Sequence, residues 1–529
     1  MLDLNRIPEA VRQEGGISRR LFLGYAAALA STPLLAEQAR NEAKPAGAFP
    51  DNPFSLGVAS GDPDHTSVVL WTRLAPKPLQ GDGGMKPTPV EVLWEIAEDD
   101  GMKKIVQKGT AIATPQLGHS VHVEPKGLQP DRWYWYRFRA GDAESVIGRT
   151  RTMPAPTAMK DFLKFAFASC QHYESGLFTA YEQMAKDELD LVVHLGDYIY
   201  EGAAGKSKLR QHIGREIETL DEYRVRYSLY RSDPLLSGMH ALCPWIVTWD
   251  DHEFDNNCAG HISEQKHVDS VDYLIRRAAA YQAYYEMMPL RASCLPNGPN
   301  MRLYRRANFG RLADFSVLDT RQYRTDQPND DKKSDIINGA LDPKATLLGH
   351  RQRDWLQTSL LKSTSTWNVL AQQVMMGMVD RTTGDEKLYS MDQWPGYAWE
   401  RGALMRFLQE RRIPNPVVLT GDIHVNFVND LRVDDRQPEL PVVATEFVGT
   451  SITSGGNGPE KPKGLDEIYA QNPCVKYHSA ERGYVRCTLT PTEWRSDVVA
   501  VPDVTKPGGN ILTRASFVVE AGMPGAQKA

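Results

Sequence analysis

The chain has 529 residues, 41% hydrophobic and 24% charged, with a formal net charge of −6. This is ordinary globular composition, and the length predicts two domains, one of them large. The acidic balance gives no electrostatic basis for a nucleic-acid-binding module, and no uninterrupted apolar run is long enough for a mature transmembrane segment.

The first 36 residues read as an address. Paired arginines in Ser18-Arg19-Arg20-Leu21-Phe22-Leu23 precede a moderately apolar segment, and Ala28-Leu29-Ala30 offers small residues for cleavage. This pattern predicts a twin-arginine signal peptide over residues 1–36, a twin-arginine translocase as partner during export, and a periplasmic or secreted mature protein. The six cysteines include no C-x-x-C pair, which excludes zinc-finger and thioredoxin-like readings. In an exported chain, Cys474 with Cys487 is one candidate disulfide.

Residues 49–153 predict an all-β domain. Ser67–Thr72, Val90–Glu95 and Trp133–Phe138 are short strands with turn signals between them, at the spacing of a small immunoglobulin- or fibronectin-like sandwich. Pro154-Ala155-Pro156-Thr157 is the linker to an α/β domain over residues 160–515, where strands alternate with helices. Leu177, Phe178, Tyr181, Met184 and Ala185 mark one helical face; Leu220, Tyr223, Tyr227 and Tyr230 mark a second, read as core; Leu347 to Leu361 is a third helix. Of the loops, Gly202–Glu216 reads as a solvated basic face and Asp326–Asp342 as mobile. Thr450–Gly464 follows a strand end on the functional rim and is a candidate lid.

Four apolar strands end in residues that bind metals. Phe165–Ser169 delivers Cys170, and Leu189–Leu195 delivers Asp197 through Gly196, with Tyr200 one turn on. Trp245–Trp249 delivers Asp250-Asp251-His252-Glu253, and Val417–Thr420 delivers Asp422 and His424 through Gly421. In α/β sheets ligands bind outside the carboxyl ends of the strands. Hard oxygen donors beside imidazole, phenol and thiol indicate more than one metal type on that rim.

In order, the motifs are Ser169-Cys170-Gln171, Gly196-Asp197-Tyr198-Ile199-Tyr200, Asp250-Asp251-His252-Glu253, Asp255-Asn256-Asn257, Asp392-Gln393-Trp394-Pro395-Gly396-Tyr397 and Gly421-Asp422-Ile423-His424. This series resembles the PhoD-type alkaline phosphatases, within the calcineurin-like and purple-acid-type metallophosphoesterases. The resemblance covers almost everything after the signal. It implies a two-sheet α/β sandwich flanked by helices, preceded by the small all-β domain, and a site holding Fe3+ and Ca2+. Asp197 would bridge the two metals, with Cys170, Tyr200 and His424 completing the iron site. Asp422, Asp392 and Asp251 or Asn257 would supply oxygens to calcium. Which of Asp251, Asn256 and Asn257 touches metal is left open by the motif. The chain reads Asp-His-Glu and Gly-Asp-x-His where relatives carry Asn-His-Glu and Gly-His-x-His, a change toward a harder, more anionic site. His194 and His172 lie beside motifs but have no motif slot, and each reads as a support behind the ligands or as a packing residue.

The activity implied is an exported metal-dependent alkaline phosphatase acting on small-molecule phosphate esters, mono- and diesters, by in-line attack of a metal-activated hydroxide. His252 would assist the leaving oxygen. Arg210, Arg215 and Arg321 are candidate phosphate clamps, because a guanidinium fork matches phosphate geometry. The alternatives are a phospholipase D-like diesterase acting on lipid or polymer phosphodiesters and, from another class, a non-catalytic secreted binding protein.

Overall fold

The computed structural model describes residues 49–207, 209–382 and 384–529. The expected signal peptide, residues 1–36, lies outside these residues. Two mixed sheets form the centre. The first has ten strands, in the order Met523–Lys528, Leu512–Glu520, Glu493–Val501, Arg482–Leu489, Leu163–Ala168, Leu191–His194, Trp245–Val247, Val58–Gly61, Val69–Arg73 and Ser120–Val123. The second has seven, in the order Arg305–Phe309, Ala313–Val317, Trp367–Ala371, Pro416–Thr420, Ala444–Val448, Asn426–Leu431 and Val475–Ser479.

The period-two alternation of each strand assigns its side chains to layers. In the first sheet Phe165, Phe167, Leu191 and Val193 point inward to meet Phe315, Val369, Val417 and Phe447 of the second. The intervening Ala166, Ala168 and Val192 face outward, under helices Leu220–Arg231 and Ser270–Met287. Leu370 and Val418, on the far face of the second sheet, lie under helices Gly349–Lys362 and Ala398–Glu410. The result is a helix–sheet–sheet–helix sandwich. Coverage on both sides is the reason Leu191–Val193 is apolar and the strand Leu191–His194 is buried at every position.

The tyrosine stripe Tyr223, Tyr227 and Tyr230 is buried core, on a helix opened by a capping box between Thr219 and Glu222. Helices Pro234–Leu242, Ser270–Met287 and Ala398–Glu410 add to those expected. Ser270–Met287 is buried on most of its circumference, so it lacks the apolar stripe by which a surface helix is recognised. All six cysteines are buried and free, so the Cys474–Cys487 bridge does not form.

Residues 49–153 do pack as a sandwich, with Val92, Ile96, Tyr136 and Phe138 of a five-stranded sheet against Val58, Leu70 and Val121. Its second layer, however, is not separate. Val58–Gly61 pairs in parallel with Trp245–Val247, so three of the early strands extend the ten-stranded sheet. Trp71 crosses that seam, donating its indole N–H to Glu286 O at 2.8 Å.

Arg401 fastens helix Ala398–Glu410 to the loops beside the second sheet. It pairs with Asp435 at 2.5 Å, both side chains are 0% exposed, and its other N–H groups reach Met376 O, Arg432 O and Val433 O. Removing one partner of a buried pair leaves the other charge uncompensated. Arg401→Met is expected to lower unfolding free energy by about 3–5 kcal/mol, read from denaturant midpoints. Adding Asp435→Asn should recover part of that loss. Equal stability of Arg401→Met and the parent would contradict the assignment.

Candidate metal centre

The rim assembles where two sheets meet. Three of its strands, Leu163–Ala168, Leu191–His194 and Trp245–Val247, are parallel neighbours in the first sheet, and Pro416–Thr420 belongs to the second. After each strand the chain turns sharply, and Cys170 (φ 59°), Asp197 (φ 53°), Asp422 (φ 62°) and His424 (φ 57°) all adopt left-handed backbone. For cysteine and histidine this costs on the order of 1 kcal/mol or more, and it persists where surrounding bonds over-determine it. Here they do: Cys170 N–H donates to Gly196 O at 3.0 Å, and Cys170 O accepts from Ser454 N–H at 3.2 Å. Gly196 itself sits at φ 109°, and a Cβ there would lie 2.5 Å from Asp250 N. Only glycine lets these two strand ends approach.

Cys170, Asp197 and His424 bring ligand atoms within 4.8 Å of one another, and so do Asp197, Asp251 and His252, and Asp250, Asp251 and Asp422. Tyr200 O–H donates to Asp197 Oδ2 at 2.8 Å and lies 3.1 Å from His424 Nε2. The expected iron residues therefore form one nest and the acidic residues an adjoining one, with Asp197 common to both. Asp197 Oδ1 is buried with no hydrogen-bond partner, and so is Asp250 Oδ2. An unpaired buried carboxylate oxygen costs about 1–3 kcal/mol or more, and a cation removes that cost. The residues present fit metal ions.

Arg321 lies beneath the acidic nest, fully buried. It binds Asp250, contacts both Asp392 oxygens at 3.1 and 3.0 Å, donates to Asp422 at 3.0 Å and faces Asp251 at 3.5 Å. Arg324 adds a 2.7 Å bond to Asp392 and holds Asn257 O and Cys258 O. Burial opposes the charge on Asp392, but these two guanidinium groups keep its pKa below the usual carboxylate range. Burial, joined by Asp392 and Asp251, pushes Asp422 up to about 6 against the pull of Arg321.

Asn257 reaches the nest through its backbone N–H, 2.8 Å from Asp251 Oδ2, and its side-chain amide donates to Asp331. Asn256 spends its side chain on Glu264. His252 presents Nδ1 to Glu201 Oε2 at 2.7 Å and stacks beside Tyr200, ring centroids 4.2 Å apart. Burial disfavours its charged form, but Glu201, Asp197 and Asp251 around it hold its pKa well above the ordinary value.

The structure does not present the three arginines as phosphate clamps. Arg210 is clasped between the rings of Tyr173 and Phe178, 4.0 and 4.1 Å from their centroids, and pairs with Asp233. Arg215 is a surface residue paired with Glu218 and Glu222. Arg321 directs its N–H groups at carboxylates. The lid expectation also changes. Residues 450–454 are buried and bonded to the end of strand Leu163–Ala168, with Ile452 N–H on Ser169 O at 3.0 Å, so this part of the loop is a fixed wall. His194 packs against Trp245, and His172 lies edge-on to Tyr200.

Four contributors carry no role assigned from sequence: Glu201, Glu253, Arg324 and Ser454. Glu253 accepts from the N–H groups of Asp197 (3.0 Å), Tyr198 (2.6 Å) and Asp250 (2.7 Å). Glu201 was findable as a carboxylate directly after the Gly-Asp-Tyr-Ile-Tyr turn. Ser454 had no local signal.

Comparison with known proteins identifies the family. A family model described as PhoD-like phosphatase matches residues 165–498, and one for the PhoD-like phosphatase N-terminal domain matches residues 39–154. Alkaline phosphatase D of Bacillus subtilis (strain 168) is 48% identical over 535 residues, covering 99% of this chain and 91% of the relative. A solved structure titled "Structure of PhoD" superposes with TM-score 0.89 at 50% identity, covering 92% of this chain and 93% of that one. With a fold, a motif order and a full-length relative in agreement, the chain belongs to the PhoD-like phosphatases and is a phosphoric ester hydrolase.

Proposed function

We infer that the two adjoining nests hold different metals and that the enzyme hydrolyses phosphomonoesters, with diesters as further substrates. The observation that carries this is the unpartnered Asp197 Oδ1, buried between a thiol–phenol–imidazole set and an acidic set. Cys170, Tyr200 and His424 with Asp197 suit Fe3+, since a thiolate and a phenolate favour a trivalent ion. Asp251, Asp392 and Asp422, with Asn257 beside them, suit Ca2+, which takes oxygen ligands. When bound, such cations supply the positive charge that polarises phosphoryl oxygens and activates water.

The chain's own residues do the rest. Arg321 and Arg324 keep the carboxylates apart and aimed, so that their mutual repulsion is offset before any cation arrives. Glu201 fixes His252 by its Nδ1, which turns Nε2 toward the leaving oxygen as a proton donor. The His252 side chain is 23% exposed and that of His424 35%, which places the open side of the centre along these two imidazoles.

Metal analysis and variant kinetics test the reading. Protein matured through its own export route should contain iron and calcium, lose activity to a calcium chelator and regain it with calcium. Cys170→Ala should lose iron and most activity with the fold intact. Full turnover after exhaustive chelation, or an iron-replete and active Cys170→Ala, would count against it. Glu201→Gln should reduce kcat about 10–100-fold with alkyl phosphates and less with nitrophenyl phosphate, whose leaving group needs little protonation. Equal losses on both substrates would remove His252 from the acid role.

We infer further that the Ser18–Leu23 stretch directs export by the twin-arginine route, in keeping with the absence, among the described residues, of a helix long and apolar enough to cross a membrane. Arg19→Lys with Arg20→Lys should retain active enzyme in the cytoplasm; unchanged delivery to the periplasm would refute this.

A further inference from the structure

We propose that Ser454 is a positioning residue for Tyr200: its hydroxyl bonds the phenolate oxygen that faces the metal and sets how much charge that oxygen donates. The inference rests on Tyr200 being a metal ligand. Ser454 Oγ lies 2.7 Å from the Tyr200 oxygen and 2.7 Å from Cys170 O, and it accepts the backbone N–H of His172 at 3.1 Å. Its single proton thus has two acceptors in reach. As a phenol, Tyr200 spends its own proton on Asp197 Oδ2. As a ligand, Tyr200 has released that proton to solvent and its oxygen can only accept. Ser454 is then the hydroxyl in place to donate to it.

The hydroxyl is held there by more than its own bond. Ser454 is 1% exposed, its N–H donates to Cys170 O, and its carbonyl accepts from Arg482 Nη1 at 2.7 Å and from Ser451 Oγ at 2.7 Å. The same Arg482 nitrogen lies 2.7 Å from His424 O. One arginine therefore ties Ser454 to the segment carrying another member of the nest. A purely structural role for residues 450–454 would be met by the backbone bonds alone; the contact to the phenol oxygen is additional. Hydrogen bonds to a ligand atom draw electron density from it and weaken its donation, which is how outer groups tune a metal's spectrum and potential.

The test uses matured full-length protein, comparing the parent with Ser454→Ala and with the isosteric pair Ser454→Thr and Ser454→Val. Iron content, the visible absorption band and turnover are read on each. Iron-replete Ser454→Ala should absorb at longer wavelength than the parent, since the phenolate becomes a stronger donor, and Ser454→Thr should return the band toward the parent. Should Ser454→Ala lose its iron, the Thr-against-Val comparison isolates the hydroxyl at constant shape. A band that is the same in the parent, Ala, Thr and Val forms overturns the inference while leaving the metal centre standing. A parent without iron or without a visible band overturns the centre and this inference together.

Discussion

The centre depends on one carboxylate that is itself outside both nests. Glu253 receives three backbone N–H groups, from Asp197, Tyr198 and Asp250, and thereby joins the turns after two neighbouring strands. Without it, three buried donors would lose their acceptor and the two turns would have no common reference. Burial, with Asp197 beside it, pushes Glu253 up to about 8; the three donors work in the opposite sense. A cation at Asp197 would work in that same sense, which couples the scaffold to occupancy of the centre.

The second constraint is charge. Asp197, Asp250, Asp251 and Asp392, all buried, and the half-buried Asp422 are brought together, an arrangement that like-charge repulsion alone would disperse. Arg321 meets four of them from below, so the assembly is held by a fixed cation on one side and left open to mobile ones on the other. Arg321 therefore directs its guanidinium at carboxylates of the chain itself.

Much of the centre was legible because strand ends carry it. An apolar run that stops at Gly196 or Gly421 and then yields an acid announces both its position and its chemistry, and the order of such stops identifies the family. The two-sheet architecture was what that family resemblance implied. What the sequence concealed came from pairings between distant segments. Ser454 is far from Tyr200 along the chain, and nothing local marks it. Arg210 looked available but is consumed by Tyr173, Phe178 and Asp233. The lid reading of residues 450–464 rested on their following a strand end on the rim, whereas Ser451 pairs with Ser169 in a parallel bridge at the end of the first sheet's strand. Alternating strands correctly indicated a sandwich over residues 49–153, yet alternation says nothing about which sheet an edge joins.

That shared edge has a consequence for how the molecule is made. The ten-stranded sheet includes Val58–Gly61, among the earliest strands to be synthesised, and Met523–Lys528, the last. During translation the early strands stand complete while their parallel partner Trp245–Val247 has yet to emerge, and the opposite margin closes only with Met523–Lys528. A growing chain therefore carries unpaired strand edges for most of its synthesis, the kind of surface on which chains pair wrongly with one another. Deleting Val58–Gly61 or Met523–Lys528 would make such an edge permanent, so a change far from the centre would show itself first as aggregation.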